Sequence, residues 1–185
     1  MAFLRNRFNG LYPSADRFLF LSLLHRKPSI TDKRRVKMAK HIYTRCWLHL
    51  VWPTLDEEEV LDQSARNKLS KYLHTYSREK GIYMKSNYVH TNHVHALVDM
   101  PPTLSVSNLF QLLKGGSSHW INEYKMIPEK FAWGKDYAAF SVSHSKLSGV
   151  IEYFSNQEEY HQTVSFAEEM RILVQKHGLI YRGNS

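Results

Sequence analysis

Apolar and polar residues alternate along this chain with two different periods, and the periods predict its elements. Four segments show the period of two that is typical of strands: residues 42–52, 82–90, 92–100 and 137–143. Four others show the spacing of an amphipathic helix: residues 56–80, 105–125, a stretch beginning at 143 or 145, and residues 165–177. This order predicts an α+β fold of the ferredoxin-like, split βαβ type, an antiparallel sheet with helices on one face.

Turn-forming and charged residues set the expected ends of these elements. Pro53 is expected to stop the first strand, and the acidic run 56–59 suits the N-terminus of the first helix. Gly81 and Gly178 follow the first and last helices, where glycine adopts the backbone conformation that ends a helix. Residues 115–116 are both glycine. They are expected to interrupt the second helix, since each costs about 1 kcal/mol relative to alanine.

Length and composition describe a single globular domain. The chain has 185 residues, 43% hydrophobic and 23% charged, which is enough for one domain with a core. Cys46 is the only cysteine, so an internal disulfide and a cysteine-rich zinc site are excluded. No apolar run reaches the roughly 18 residues that span a membrane. We therefore expect a cytoplasmic protein with no membrane partner.

The net charge of +8 is confined to the N-terminal segment. Residues 1–40 contain ten Lys/Arg and two Asp/Glu, whereas residues 41–185 contain fifteen of each. The basic composition is therefore no sign that the folded part binds nucleic acid. Met38 directly precedes the first strand. Residues 1–37 are predicted to be a basic extension, disordered or a product of upstream initiation, and residues 38–183 the functional domain.

Two histidines in the third predicted strand are candidate metal ligands. His93 and His95 point to one face of this strand, while the apolar residues between and after them point to the other. A strand that is buried on its apolar face can thus present two imidazoles side by side. The alternative is an exposed sheet face that happens to carry two histidines. His49 is a candidate supporting group on the same surface, whereas Asp99 lies about 13 Å along the strand from His95, too far to be a direct ligand.

The third predicted helix offers a hydroxyl and an amide that could join the two histidines in one site. Tyr153 and Gln157 are four residues apart and project together from the flank of its apolar stripe, with Lys146 and Tyr160 close to the same line. An amide oxygen can bind a metal ion, so the pair predicts a joint site with the two histidines. The alternative is ordinary amphipathic packing of a tyrosine.

A polar stretch of the second helix is a candidate contact for a phosphate chain. It offers a cation, two hydroxyls and an indole ring from Lys114, Ser117, Ser118 and Trp120. Such groups bind DNA backbone or stack on a base, and Lys146 is a further candidate. The alternative is a bent helix with a polar face.

These motifs together resemble those of a known enzyme family. The sequence His93-Val94-His95 resembles the histidine–hydrophobic–histidine (HUH) signature of single-strand nucleases. The run 152–157, Glu-Tyr-Phe-Ser-Asn-Gln, is similar to the tyrosine-helix motif of the single-tyrosine, IS200-like insertion-sequence transposases, including relatives associated with repetitive extragenic palindromes. The resemblance extends from about Lys40 to about Gly183.

The resemblance implies a mechanism and a set of partners. The nucleophile of the family falls on Tyr153, and its metal ligands fall on His93, His95 and Gln157. The family uses Mg²⁺ or Mn²⁺, cleaves single-stranded DNA at hairpin ends through a 5′-phosphotyrosine, needs no nucleotide cofactor and works as a homodimer. In that dimer the tyrosine helix of one subunit can complete the site of the other.

One departure and three alternatives accompany this resemblance. Where the family has a basic or mixed segment, residues 54–59 carry four acids, so we expect DNA not to track across that end. A replication initiator or conjugative relaxase would share the histidine pair but usually has a longer chain. The second alternative is a non-catalytic sheet that binds single-stranded nucleic acid. The third is a domesticated relative of the transposases.

Overall fold

Four antiparallel strands form a sheet in the order β2-β3-β1-β4. The structure is a computed structural model that describes residues 43–182. Its strands are β1 (Trp47–Pro53), β2 (Tyr83–Val89), β3 (His93–Asp99) and β4 (Ala138–Ser141). β2 and β3 form the predicted hairpin, and β1 lies between β3 and β4.

Two long helices cover one face of this sheet. They are α1 (Gln63–Glu79) and α2 (Val106–Glu123). The core between them and the sheet is built from buried apolar side chains, among them Leu48, Leu50, Trp52, Leu69, Leu73, Val94, Val98, Leu109 and Leu113. Burying each of these side chains contributes about 1.5–3 kcal/mol. The arrangement confirms the predicted α+β, ferredoxin-like fold.

Three shorter helices cover the other face, which carries the histidine pair. They are α3 (Leu147–Ser155), α4 (Gln157–Tyr160) and α5 (Phe166–Lys176). Two small apolar clusters fasten them to the sheet, one around Leu97 and Phe154 and one around Phe140 and Phe166. The central strands are therefore buried on both faces, and the prediction of helices on one face alone is wrong. His93 and His95 are completely buried, so the interpretation of an exposed sheet face is wrong.

The first helix begins later than the acidic run predicts. The Asp62 carboxylate caps it by accepting a hydrogen bond of 2.7 Å from the amide of Ala65. Asp56 and Glu57 have φ values of 52° and 59°, in the left-handed region that an α-helix does not use. They lie instead in a short 3₁₀ turn, Leu55–Glu57. The prediction that residues 56–59 open the helix is wrong, because Asp62 caps the helix in their place.

The other helix and strand ends differ from the predictions in smaller ways. β1 begins at Trp47 rather than at residue 42, and residues 43–46 precede it without strand pairing. The third helix breaks at Asn156 into α3 and α4. Gly81 and Gly178 have positive φ and end α1 and α5 as predicted.

The glycine pair 115–116 does not interrupt α2, which runs unbroken through both positions. A Cβ on Gly116 would overlap the ring of Tyr76, whereas one on Gly115 would meet nothing. The hydroxyl of Tyr72 donates to the carbonyl of Gly116 at 3.0 Å. Gly116 therefore allows α1 and α2 to pack closely.

Part of the predicted domain organisation falls outside the described residues. The basic extension 1–37, the boundary at residue 38 and the end at residue 183 all lie there. Within residues 43–182, no helix is both long enough and apolar enough to cross a membrane.

Candidate metal centre and nucleophile

β3 positions the two predicted metal ligands, and both rings are held through the same nitrogen. Nδ1 of His93 lies 2.7 Å from Oδ1 of Asn92. Nδ1 of His95 lies 2.9 Å from Nε2 of His49, on the neighbouring strand β1. Histidines that bind a metal usually donate from the other ring nitrogen to a fixed partner in this way. In both rings Nε2 is thereby left to point away from the strand, towards α5.

Two residues that the sequence did not single out complete the cluster. Nε2 of His95 lies 3.2 Å from Oε1 of Glu169, and Nε2 of His93 lies 3.6 Å from Oε2. Nε2 of His161 lies 3.2 Å from the same Oε2, while its Nδ1 lies 2.9 Å from the carbonyl oxygen of Val164. A third imidazole is thus oriented through Nδ1, and a carboxylate from α5 sits among all three.

The cluster has the composition and the unmet bonding capacity of a metal site. Ligand atoms of His93, His95, His161 and Glu169 all lie within 4.8 Å of one another. Five buried atoms here form no hydrogen bond of good geometry, namely Nε2 of the three histidines, Oε2 of Glu169 and Oε1 of Gln157, although Nε2 of His95 and of His161 each lie 3.2 Å from an oxygen of Glu169. Buried polar atoms are rarely left unpaired, and imidazole nitrogen and carboxylate or amide oxygen all bind divalent cations. These residues can therefore hold a metal ion.

The predicted nucleophile and the predicted amide ligand reach the same place. The hydroxyl of Tyr153 on α3 donates to Oε1 of Glu169. Nε2 of Gln157, the first residue of α4, donates to that same oxygen at 2.9 Å. Tyr153 also lies against His95, with 5.9 Å between their ring centroids. The structure thus brings together all four residues that the sequence placed in the reaction centre: His93, His95, Tyr153 and Gln157.

Burial and charge set the protonation of these groups. Burial, and then the neighbouring His95, lower the pKa of His93 well below its usual range, so its imidazole is neutral and able to bind a metal. Burial and the Glu169 carboxylate raise the pKa of the Tyr153 hydroxyl. Burial also opposes ionisation of Glu169, but His95 and His161 outweigh it and hold the pKa of that carboxyl well below its usual range. Glu169 is therefore an anion, and Tyr153 is a neutral phenol.

A charged contact joins α4, which begins with Gln157, to α1 and to the edge strand β2. Nη2 of Arg66 on α1 lies 2.5 Å from Oε2 of Glu158, and the hydroxyl of Tyr88 on β2 donates to the same oxygen at 2.6 Å. Arg66 is itself nearly buried and also donates to the carbonyl of Val89 at 2.8 Å. These bonds hold the residue next to Gln157 in place.

This contact predicts a pH-dependent contribution to stability. Hydrogen bonds from Arg66 and Tyr88 lower the pKa of Glu158 from its ordinary value of 4.5 to about 2. A lowered folded-state pKa stabilises the fold above pH 4.5, and the contribution disappears as the pH falls towards 2. Glu158→Gln should reduce the free energy of unfolding in urea by about 1 kcal/mol at pH 7 and by much less at pH 3. Glu159→Gln, one residue along α4, is the control. An equal effect of both variants at both pH values would contradict this role.

The structure gives two of the predicted DNA-contacting residues contacts inside the fold. Nζ of Lys114 donates to the carbonyl of Gly134 at 2.7 Å and to two further carbonyls in the loop before β4. Ser117 is completely buried, donates to the carbonyl of Leu113 at 2.6 Å and accepts from the indole of Trp133. In this arrangement both residues anchor a loop to α2.

The other three candidates lie nearer the surface and in two different places. The ring of Trp120 stacks on that of Tyr72, with 4.5 Å between centroids, and both Trp120 and Ser118 are half-buried on α2. Both are separated from the reaction centre by the sheet, because α2 covers the opposite face. Lys146, in contrast, lies at the start of α3 and lines the same groove as Tyr153. Of the five predicted contacts, Lys146 alone shares a groove with the predicted nucleophile.

His161 and Glu169 are the site residues that sequence reasoning missed. A signal was present for Glu169, because it falls between Phe166 and Leu173 on the apolar stripe of the last helix. A carboxylate at such a core position needs a buried partner. His161 follows Gln157 by four residues, the spacing that placed Gln157 with Tyr153. Neither the apolar stripe nor the four-residue spacing predicts which part of the sheet α5 covers. Neither pattern therefore places these two residues beside His93 and His95.

Comparison with known proteins gives a consistent picture. A family model described as IS200-like transposase matches residues 42–157. The ISDra2 transposase TnpA of Deinococcus radiodurans is 23% identical over 116 residues, which cover 60% of this chain and 83% of that protein. The matched family region ends at Gln157, so His161 and Glu169 lie beyond it.

Two solved structures share the fold. One is a crystal structure of a Deinococcus radiodurans R1 protein assigned as a transposase, with a TM-score of 0.52 and 21% identity, covering 64% of this chain and 95% of that one. The other is a REP-associated tyrosine transposase bound to a REP hairpin, with a TM-score of 0.50 and 12% identity, covering 68% of this chain and 74% of that one.

Proposed function

This chain belongs to the IS200-like transposase family, and on that premise we propose that it cleaves and rejoins single-stranded DNA through Tyr153. Family membership makes it a DNA transposase, an enzyme of DNA cleavage and strand transfer. The proposal adds the nucleophile, the covalent intermediate and the divalent metal. Its place of action would be DNA in the cytoplasm.

One observation carries this proposal. The hydroxyl of Tyr153, the amide of Gln157 and Nε2 of His95 all meet at a single carboxylate oxygen of Glu169. A nucleophile and two metal-binding groups that touch one anionic oxygen are placed to act on one phosphate. A sheet that only binds nucleic acid has no need for this convergence.

In the proposed step, the oxygen of Tyr153 attacks the phosphorus of the scissile phosphodiester. The bond from tyrosine oxygen to phosphorus forms as the bond from phosphorus to the 3′-oxygen breaks. The tyrosine loses its proton, and the leaving 3′-oxygen gains one. The products are a 5′-phosphotyrosine and a free 3′-hydroxyl. Since the new link keeps the energy of the phosphodiester, a DNA 3′-hydroxyl can reverse the attack and rejoin strands without a nucleotide cofactor.

We assign His93, His95 and Gln157 as ligands of Mg²⁺ or Mn²⁺, with His161 and Glu169 as additional donors. When bound, the cation polarises the phosphate and stabilises charge on the leaving oxygen. The protein groups alone do not activate Tyr153, because burial and Glu169 raise the pKa of its hydroxyl. A third imidazole favours Mn²⁺ over Mg²⁺, since imidazole nitrogen suits transition metals better than it suits magnesium.

In this mechanism the Glu169 carboxylate has to leave its position when the substrate binds. Its carboxylate contacts both Tyr153 and His95, at the place where a scissile phosphate must contact both. Two anions cannot share that position, so the Glu169 carboxylate has to turn away from Tyr153 when DNA binds. Among the described residues Glu169 is the acid that lies within reach of the Tyr153 hydroxyl.

Hairpin recognition and a homodimer are also part of the proposal, carried by the family resemblance. The solved relative bound to a REP hairpin supports a hairpin as the form of DNA. Within the described residues one copy of the chain supplies the tyrosine, the amide and all three imidazoles of the centre. A site that forms within a single subunit is therefore compatible with this sequence.

The experiment that tests this function looks for a covalent protein–DNA adduct on a denaturing gel. The full chain is mixed with single-stranded oligonucleotides that cover both flanks of its own gene, with Mn²⁺, with Mg²⁺ or with a chelator. We expect an adduct with either metal, more of it with Mn²⁺, and none with the chelator. Tight binding of the same oligonucleotides without any adduct would instead favour a non-catalytic or domesticated relative.

A further inference from the structure

A groove runs up to Tyr153 between β4, the start of α3 and the end of α5. Its volume is about 590 Å³, within the range of pockets that enclose a small ligand. Tyr153 and His49 are among the residues that line it. The groove is therefore continuous with the reaction centre, although no metal-binding atom of the cluster is exposed in it.

The residues at the rim of this groove suit an anion. Lys146 at the start of α3 and Lys176 at the end of α5 both line it, together with Ser141 and Ser143. Both ammonium groups belong to exposed side chains, and within residues 43–182 neither forms an ion pair with a carboxylate. The lining of the groove contains no Asp or Glu. Two unpaired cations that line one groove can each contact a phosphate of a bound strand.

The inner wall of the groove suits a base. Val142, Val150 and Leu173 give it an apolar surface. His177 is exposed at the rim, and one face of its ring is stacked on Phe140, with 4.4 Å between centroids. The imidazole is fixed by this stacking and by a contact of 2.8 Å between its Nδ1 and the carbonyl oxygen of Leu173. A rigid aromatic ring at the edge of a cationic groove is a platform on which an unpaired base can stack.

The opposite approach to the reaction centre has the other sign of charge. A smaller cavity of about 210 Å³ reaches His161 from the side of the 3₁₀ turn after β1. It is lined by Glu57 and Glu59, together with His90 and Asn92. Two carboxylates at this entrance disfavour a phosphate chain, so a DNA strand is expected to approach from the lysine side.

We propose that the groove between Lys146 and Lys176 holds the nucleotides of single-stranded DNA that adjoin the bond cleaved by Tyr153. The two lysines contact backbone phosphates, and the ring of His177 supports a base. This proposal rests on the proposed function, because it assigns the place of the substrate in that reaction. Lys176 lies beyond the matched family region, so this part of the site belongs to the C-terminal helix of this chain.

The test compares the salt dependence of DNA binding in two double variants. Lys146→Ala with Lys176→Ala removes the groove cations, while Lys71→Ala with Lys85→Ala removes two exposed lysines from α1 and β2. Binding of a fluorescent single-stranded oligonucleotide from the gene flank is measured by anisotropy at several salt concentrations. Each lost phosphate contact lowers the slope of log K against log salt by about 0.7 for single strands. We expect the groove variant to lose about 1.4 in slope and the control variant to keep the slope of the parent protein.

Four further results decide the matter. Replacing both groove lysines by arginine should restore the slope, because the positive charges remain. An adduct that still forms with the alanine variant at saturating DNA, combined with the reduced slope, supports the groove as a binding site separate from the chemistry. Equal slopes for groove and control variants overturn the proposal while leaving the proposed function intact. If the parent protein binds the oligonucleotide but never forms an adduct, the proposed function fails and the assignment of the groove to the cleaved strand fails with it.

Discussion

Tyr153→Phe is expected to abolish the covalent protein–DNA adduct completely. The substitution removes the oxygen that attacks phosphorus and leaves the ring, which packs against His95 and the neighbouring aromatic side chains. Without that oxygen no phosphotyrosine can form at this position, so the loss is total rather than a reduction in rate. Binding of the oligonucleotide should change little, because Tyr153 is partly buried and its hydroxyl contacts Glu169.

Tyr160→Phe is the matched control for this experiment. Its ring lies 5.8 Å from that of Tyr153, so it is a second tyrosine of the same segment close to the centre. Its hydroxyl, unlike that of Tyr153, has no hydrogen bond to Glu169 among the described contacts. We expect the adduct of Tyr160→Phe to equal that of the parent protein. Loss of the adduct in Tyr160→Phe together with its survival in Tyr153→Phe would mean that the nucleophile has been misassigned.

Loss of one of the buried histidines is expected to have the second largest effect. His93→Ala removes Nε2, a nitrogen that faces the cluster without a hydrogen bond. Of the four clustered residues His93, His95, His161 and Glu169, three remain as candidate ligands. Removal of a group that merely orients a ligand typically costs 10–100-fold in metal affinity, so loss of the ligand itself should cost more than about 100-fold. Binding of Mn²⁺ to the full chain, measured by electron paramagnetic resonance, gives this affinity without DNA.

A graded series makes this prediction sharper. His49→Ala removes the group that fixes Nδ1 of His95 and should weaken Mn²⁺ binding by about 10–100-fold. His119→Ala removes an exposed histidine on α2, far from the cluster, and should have no effect. We expect the loss of Mn²⁺ affinity to be largest for His93→Ala, smaller for His49→Ala and absent for His119→Ala. A parent protein that does not bind Mn²⁺ would contradict the metal assignment, and equal affinities in all three variants would contradict the choice of ligands.

The sequence predicted the proximity of His93, His95, Tyr153 and Gln157 better than it predicted the ends of the elements. The faces of β3 and the four-residue spacing of Tyr153 and Gln157 follow from strand and helix geometry, which depends little on the rest of the fold. The start of α1 was misplaced because helix ends depend on which side chain caps the free amides, and Asp62 does so in place of the acids before it. The glycine pair in α2 was misread because the close approach of Tyr76, rather than a break in the helix, explains Gly116.

The contribution of the C-terminal helix could not be predicted from local patterns. Glu169 is buried because α5 crosses the sheet above His93 and His95, and that contact joins segments about 75 residues apart. Helical spacing gives the apolar stripe of α5 but not the surface that the stripe covers. The same holds for Lys176, whose importance depends on the groove that α5 forms with β4 and α3.

The central claim, that Tyr153 carries the cleaved DNA, is tested most directly by locating the nucleotide on the protein. The adduct formed by the full chain with Mn²⁺ is digested with nuclease and protease, and the modified peptide is sequenced by mass spectrometry. We expect a nucleotide attached through its 5′-phosphate to Tyr153 and to no other residue. A nucleotide on Tyr160 or on a histidine, or a cleaved strand with no attached peptide, would contradict it.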